Sequence, residues 1–123
     1  MGEARRLRIY LKLVEITSIP LTVLLLIYIL SGYGMVSPSL RILGFNYAFS
    51  ARLHTSPWLR LSIVVLTVLH GHSGLAVLAR KKIRSITAWR LVETGLAVLT
   101  CIFLLTCAYA EISTFRGLRF GRG

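Results

Sequence analysis

The sequence predicts an all-α integral membrane protein, a three-helix bundle with a long loop between helices 1 and 2. Hydrophobic residues make up 55% of the 123 residues and the mean hydropathy is +0.73, more apolar than a soluble domain whose surface must be wetted. Three apolar runs, residues 9–30, 58–79 and 91–110, each supply the roughly 20 residues that cross a bilayer core as helix. Because the runs lack the period-two alternation of barrel strands, we predict transmembrane helices.

The first run follows several arginines and so resembles a secretory signal. Its apolar stretch is longer than the usual signal core, and no small-residue cleavage site leads into a polar domain, so we predict that the helix is retained. Pro20 lies inside it and predicts a kink. No repeat or low-complexity tract divides the chain, and we predict a single transmembrane domain over residues 1–123.

The formal charge of +11 does not indicate a nucleic-acid partner. The basic residues stand at the ends of the apolar runs rather than in a stripe with aromatic side chains, so the predicted partner is the lipid bilayer. Cations are denser before helix 1 and between helices 2 and 3, which predicts a plasma-membrane protein with a cytoplasmic N-terminus and an external C-terminus. The denser set is Arg5, Arg6, Arg8, Lys12, Arg80, Lys81, Lys82, Arg84 and Arg90; the other is Arg41, Arg52, Arg60, Arg116, Arg119 and Arg122.

The connection between helices 1 and 2, residues 31–57, is the longest in the chain. Its aromatic residues Phe45, Tyr47 and Phe49 suit the membrane interface, so we expect the segment to lie along the membrane. Its chain-breaking residues are Gly32, Gly34, Pro38, Gly44 and Pro57.

Two histidines in the second apolar run carry the strongest functional signal. His70 lies near the middle of that helix, where an ionisable group is costly and indicates a function by default. At about 100° per residue His72 points roughly 160° away from it, so the two rings cannot bind one metal from the same helix. Ser73 and Gly74 follow on the His70 side, where small residues let a macrocycle or another helix approach. A haem ligand and a neutral histidine bonded across a helix interface both remain open.

Two acidic residues lie near the predicted cytoplasmic ends of their helices. The i,i+3 spacing places Glu15 within reach of Lys12, and Glu93 within reach of Arg90, so we predict ion pairs at the interface. A proton path is the alternative interpretation of these carboxyl groups.

Three helices in a chain of this size, with the segment LHGHSGLAVLARKK ending the second, resemble the membrane-anchor cytochrome b subunits of succinate dehydrogenase and fumarate reductase. In that family a histidine of helix 2, followed four residues on by glycine, ligates haem b, and the pattern falls on His70 and Gly74. The resemblance implies haem iron bound by His70 beside Gly74. We predict Ser73 as a further cofactor-binding residue from its place on the His70 side, and keep His72 and His54 as alternative ligands. His54 is similar to a histidine found near a helix entry in such proteins.

The resemblance also implies a role. It implies an anchor subunit that passes electrons between a peripheral redox subunit and the membrane, rather than an enzyme by itself. The family often carries an Asp-Tyr pair after the histidine that helps to bind quinone; Lys81 and Lys82 stand at that distance, so a quinone remains possible without the conventional pocket. A cofactor-free structural subunit and a small b-type cytochrome anchoring a membrane hydrogenase are the alternatives.

Helices 1 and 3 contain no histidine, so a second axial ligand at membrane depth must come from elsewhere. We expect it from a second anchor subunit, from another copy of the chain, or from a side chain that is not histidine.

Overall fold

A computed structural model describes residues 2–120 of the chain, with side chains over residues 2–114. Within this part four α-helices occur: α1 Glu3–Val36, α2 Tyr47–His54, α3 Pro57–Lys82 and α4 Ile86–Phe120. The helices α1 and α3, and α4 over Ile86–Thr114, are long and apolar enough to cross a membrane. The predicted class, an all-α membrane bundle of three spans, is therefore confirmed.

Helix α3 is the central element of the bundle. It packs against both α1 and α4, while the short α2 lies mainly on α1. The interior is small and its buried side chains are mostly short, so large apolar side chains cover the outside, as expected where the solvent is lipid. The buried side chains of the described residues are Thr17, Leu21, Ser31, Ser50, Ser73, Ala76 and Trp89.

The three long helices extend beyond the predicted apolar runs. α1 begins at Glu3, six residues before the run at 9–30, and α4 continues ten residues past 110. Charged and polar residues continue a helix where it leaves the hydrocarbon, and hydropathy does not detect that extension. α1 also continues through Pro20, where the Ser18 hydroxyl donates to the Val14 carbonyl at 2.6 Å.

The connection between α1 and α3 is more ordered than a loop. A 3-10 helix, Pro38–Leu43, ends at Gly44, whose φ of 86° suits glycine, and α2 follows. The Asn46 side chain caps α2 by accepting from the Phe49 N–H at 2.9 Å. α2 lies against the end of α1 so closely that Ser50 leaves no room for a side chain at Gly34.

Ion pairs join the helices at both ends of the bundle. At the end where α1 begins, here called the N-terminal end, Arg80 of α3 pairs with Glu3, and Arg6 of α1 pairs with Glu93 of α4 at 3.1 Å. At the opposite end the Arg60 guanidinium donates three hydrogen bonds to the Glu111 carboxylate, at 2.8, 2.9 and 3.3 Å.

These pairs differ from the same-helix pairs expected for the acids. Glu93 was expected to pair with Arg90 but pairs with Arg6, because α1 lies beside the start of α4. Glu15 is exposed and forms no ion pair with Lys12 or with any other side chain of residues 2–114. The side chains of Arg116 and Arg119, and the whole of Arg122, lie outside the described part.

Candidate functional site

His70 lies on the side of α3 that faces α1, where its Nδ1 is 3.1 Å from Thr17 Oγ1. Thr17 is only 4% exposed, and its hydroxyl is placed to donate its one proton to the Leu13 carbonyl at 2.6 Å. With that proton on the Leu13 carbonyl, the Thr17 hydroxyl accepts from the Nδ1–H of His70. The lone pair of Nε2 is then available to a Lewis acid.

The terminal ion pairs give the depth of His70. Arg60 and Arg80 are separated along α3 by about 30 Å at 1.5 Å per residue, which matches the thickness of a bilayer core. His70 is midway between them. The imidazole therefore lies near the middle of α3, as the sequence predicted, in a helix long and apolar enough to cross a membrane.

The small residues near His70 separate into two groups. Ser73 is 1% exposed and lies inside the bundle, whereas a Cβ added at Gly74 would meet no atom within 4 Å. The same holds for Gly71. One turn from His70, the helix thus presents an open surface on which another molecule can lie directly against the backbone.

His72 has different neighbours, as its predicted orientation requires. Its Nδ1 is 3.1 Å from Thr100 Oγ1 of α4, and its ring meets the edge of Tyr10 of α1 with centroids 5.9 Å apart. Tyr10 in turn donates a hydrogen bond to Glu93. His72 therefore belongs to the junction of all three long helices, and His70 to the α1–α3 interface.

His54, the last residue of α2, contacts α1 and so holds the two helices together. Its Nδ1 lies 3.2 Å from the Tyr28 carbonyl and 3.1 Å from Ser31 Oγ, and its ring stacks on Tyr28 at 4.0 Å. A carbonyl only accepts, so Nδ1–H is again the donor. Ser31 and Thr17 are about 21 Å apart along α1, which places His54 far from His70.

The three histidines thus occupy three separate positions. Among the described residues no group of three or more His, Cys, Asp or Glu side chains is arranged to hold a metal ion. A multi-ligand ion site formed by this part of the chain alone is absent, but one axial bond to a haem iron needs only one imidazole.

Several residues of the site were not identified from the sequence. Thr17 and Thr100 are the partners of the two central histidines, and intramembrane hydroxyls near the same depth were the available signal. Arg6, Tyr10 and Glu93 form a cluster beside a groove of about 320 Å³ at the N-terminal end. Nothing in the sequence alone places the starts of α1 and α4 side by side.

Comparison of the chain with protein-family models, with characterised proteins and with solved structures finds no match. The side-chain arrangement therefore carries the functional inference.

Proposed function

We propose that the chain is a cytochrome b-like membrane-anchor subunit of a respiratory oxidoreductase complex, which passes electrons between a peripheral subunit and the membrane. The observation that supports this most is the His70–Thr17 hydrogen bond, because it leaves the Nε2 lone pair of a mid-membrane imidazole available. Metal-bound histidines typically donate their other ring N–H in this way, which fixes the orientation of the ring.

The residues around His70 fit a haem held from one side. His70 would bind the iron through Nε2, Thr17 would hold the imidazole, and the open backbone at Gly71 and Gly74 would leave room for a flat ring or a facing helix. Haem b, when bound, supplies one-electron chemistry through its iron. A second axial ligand would come from another subunit, since His72 faces α4 and His54 lies at the far end of α1, both away from the side of α3 on which His70 lies.

The N-terminal end of the bundle suits a peripheral partner. Lys81, Lys82 and Arg84 are exposed where α3 ends and form a basic surface beside the Arg80–Glu3 pair. An acidic face of a peripheral redox subunit would dock on this surface, as would anionic lipid headgroups.

A specific observation also favours a second function, that of a cofactor-free structural membrane subunit. Each of the three histidines already has a hydrogen-bond partner on another helix, which is enough to retain a polar residue in a bundle interface. The absorption spectrum of the complex purified with its native partners decides between the two functions. We expect the α and Soret bands of a reduced b-type haem; their absence would favour the structural subunit.

Replacement of Thr17 by valine tests the role of the hydrogen bond. We expect Thr17→Val to weaken haem retention roughly 10–100-fold and to raise the midpoint potential, because the imidazole loses its acceptor and becomes a poorer electron donor to iron. Redox titration with optical detection measures both effects. Thr106→Val is the matched control, because Thr106 is exposed and bonds only to its own helix; an equal effect there would contradict the assignment.

The charge distribution gives a topology that a reporter can check. We propose a plasma-membrane location with the N-terminal end of the bundle in the cytoplasm. A reporter inserted at 82–84 should then be cytoplasmic, and one fused after residue 123 should be external. The same side for both would contradict the three-span arrangement, and the reverse pair of locations would contradict the orientation.

A further inference from the structure

The side of α1 that faces away from the bundle carries a carboxyl group with no partner. Glu15 is exposed and makes neither an ion pair nor a hydrogen bond with any side chain described. The other three acids of the chain, Glu3, Glu93 and Glu111, each pair with an arginine. Glu15 is thus the one acid whose charge this part of the bundle leaves uncompensated.

The packing of α1 on α3 places Glu15 deep in the membrane. Thr17 contacts His70, which lies midway between Arg60 and Arg80, so Thr17 is close to the bilayer centre. Glu15 is two residues from Thr17, about 3 Å along the axis, and so lies deeper than the helix-end position expected from the sequence. A register in which Glu15 leaves the hydrocarbon would pull the Arg60–Glu111 pair into it.

The direction of Glu15 follows from helix geometry. Two residues correspond to about 160° around α1, so Glu15 points away from the α3 interface that Thr17 faces. A carboxylate in that position meets lipid, where a charged group is costly and is found paired. The exposed side of α1 therefore needs a partner that supplies a cation at the depth of Glu15.

We propose that this partner is a second copy of the chain, related by a two-fold axis along the membrane normal and packed through α1. Lys12 lies one turn from Glu15 on the same side and is also exposed. In a parallel pair, Lys12 of one copy lies only three residues, about 4.5 Å along the axis, from Glu15 of the other, within reach of the lysine side chain, and the same contact forms a second time by symmetry. The two charges of one surface thus neutralise the two charges of an identical surface.

The rest of the exposed side of α1 fits the same arrangement. Its residues recur at alternating steps of four and three, the spacing of helices that cross at a small left-handed angle. Ile19 and Tyr33, near the two ends of its apolar part, are 75% and 64% exposed. The full exposed stripe is Arg8, Lys12, Glu15, Ile19, Thr22, Leu26, Ile29 and Tyr33.

This interface is independent of the haem proposal, because it lies on the opposite side of α1 from His70. Loss of haem in a His70 variant leaves it intact, and loss of the dimer leaves the His70–Thr17 pair in place. An experiment can therefore contradict the haem proposal without contradicting the dimer proposal, and the reverse.

Charge reversal tests the pairing in the full-length chain. In a mild detergent or in vesicles, wild type should be dimeric, and Glu15→Lys or Lys12→Glu alone should weaken self-association at least about tenfold, because each brings like charges together. When the two variants carry different tags and are co-expressed, the mixed pair should recover wild-type affinity. A monomeric wild type, unchanged association in both single variants, or failure of the mixed pair to form would overturn the proposal.

Cysteine cross-linking locates the interface without changing any charge. With Cys101 and Cys107 replaced by serine, Leu26→Cys should form a disulfide-linked dimer on mild oxidation, whereas Leu25→Cys, on the flank of α1, should form at least about tenfold less. Equal cross-linking at both positions would overturn the interface. If Leu26→Cys instead forms a disulfide only with a different subunit, the proposed homodimer is overturned, and a different protein occupies this side of α1.

Discussion

Replacement of His70 by alanine is expected to abolish the b-type absorption spectrum of the complex. The substitution removes the imidazole proposed as an axial ligand, and no other described histidine lies on the same surface to replace it. Thr17 then keeps its bond to the Leu13 carbonyl, and assembly of the complex measured by size exclusion distinguishes loss of haem from misfolding. Reduced-minus-oxidised difference spectra of the purified complex, normalised to protein, measure the result.

His72→Ala is the matched control, since it removes the same side chain at nearly the same depth. Its partner Thr100 lies on α4, so we expect the spectrum to remain while the α3–α4 contact weakens. Retention of full absorbance in His70→Ala, or loss confined to His72→Ala, would contradict the assignment of the ligand.

Gly74→Leu tests the open surface beside His70. A branched side chain would fill the space proposed for the porphyrin or a facing helix, so partial loss of haem is expected. Gly95→Leu on α4 meets equally open space but lies on another helix, and it should leave the spectrum unchanged. Full haem content in Gly74→Leu would place the proposed ring elsewhere.

The spans were predictable from the sequence because backbone groups in lipid are satisfied most simply by helix, and the apolar runs are long. The ends of the helices could not be predicted in this way, because Glu3 and Arg6 continue α1 outside the hydrocarbon, where hydropathy does not distinguish helix from loop. The short α2 was described as a loop, although Asn46 three residues before Phe49 is a readable N-cap.

The opposite orientation of His70 and His72 was predictable because it depends only on the 100° step within one helix. Their partners were not, because Thr17 and Thr100 meet them only at one rotation and one register of α1 and α4. The pairing of Glu93 with Arg6 could not be predicted for the same reason, since it depends on how α1 packs beside α4. Local geometry fixes where a side chain points, whereas packing between helices decides what it meets.

Replacement of Gly34 by alanine is expected to have the largest effect on stability. A Cβ there would lie 3.0 Å from the Phe45 Cβ and 3.1 Å from the Ser50 Cβ, and closer still to the Ser50 hydroxyl, which is fully buried. Overpacking of this kind costs about 1–3 kcal/mol. We expect α2 to separate from α1, and limited proteolysis within 37–56 together with thermal unfolding in detergent measures the effect.

The cause of that loss can be isolated with two further variants. The Ser50 hydroxyl has no hydrogen-bond partner among the described residues, so Ser50→Ala alone should be neutral or stabilising by about 1 kcal/mol. In the double variant Gly34→Ala/Ser50→Ala the closest clash is gone, and part of the stability should return. Gly95→Ala, in open space, is the control for glycine replacement in a helix and should not destabilise. If Gly34→Ala is as stable as Gly95→Ala, α2 does not lie against α1 as described; if the double variant recovers nothing, the Ser50 hydroxyl is not the obstacle.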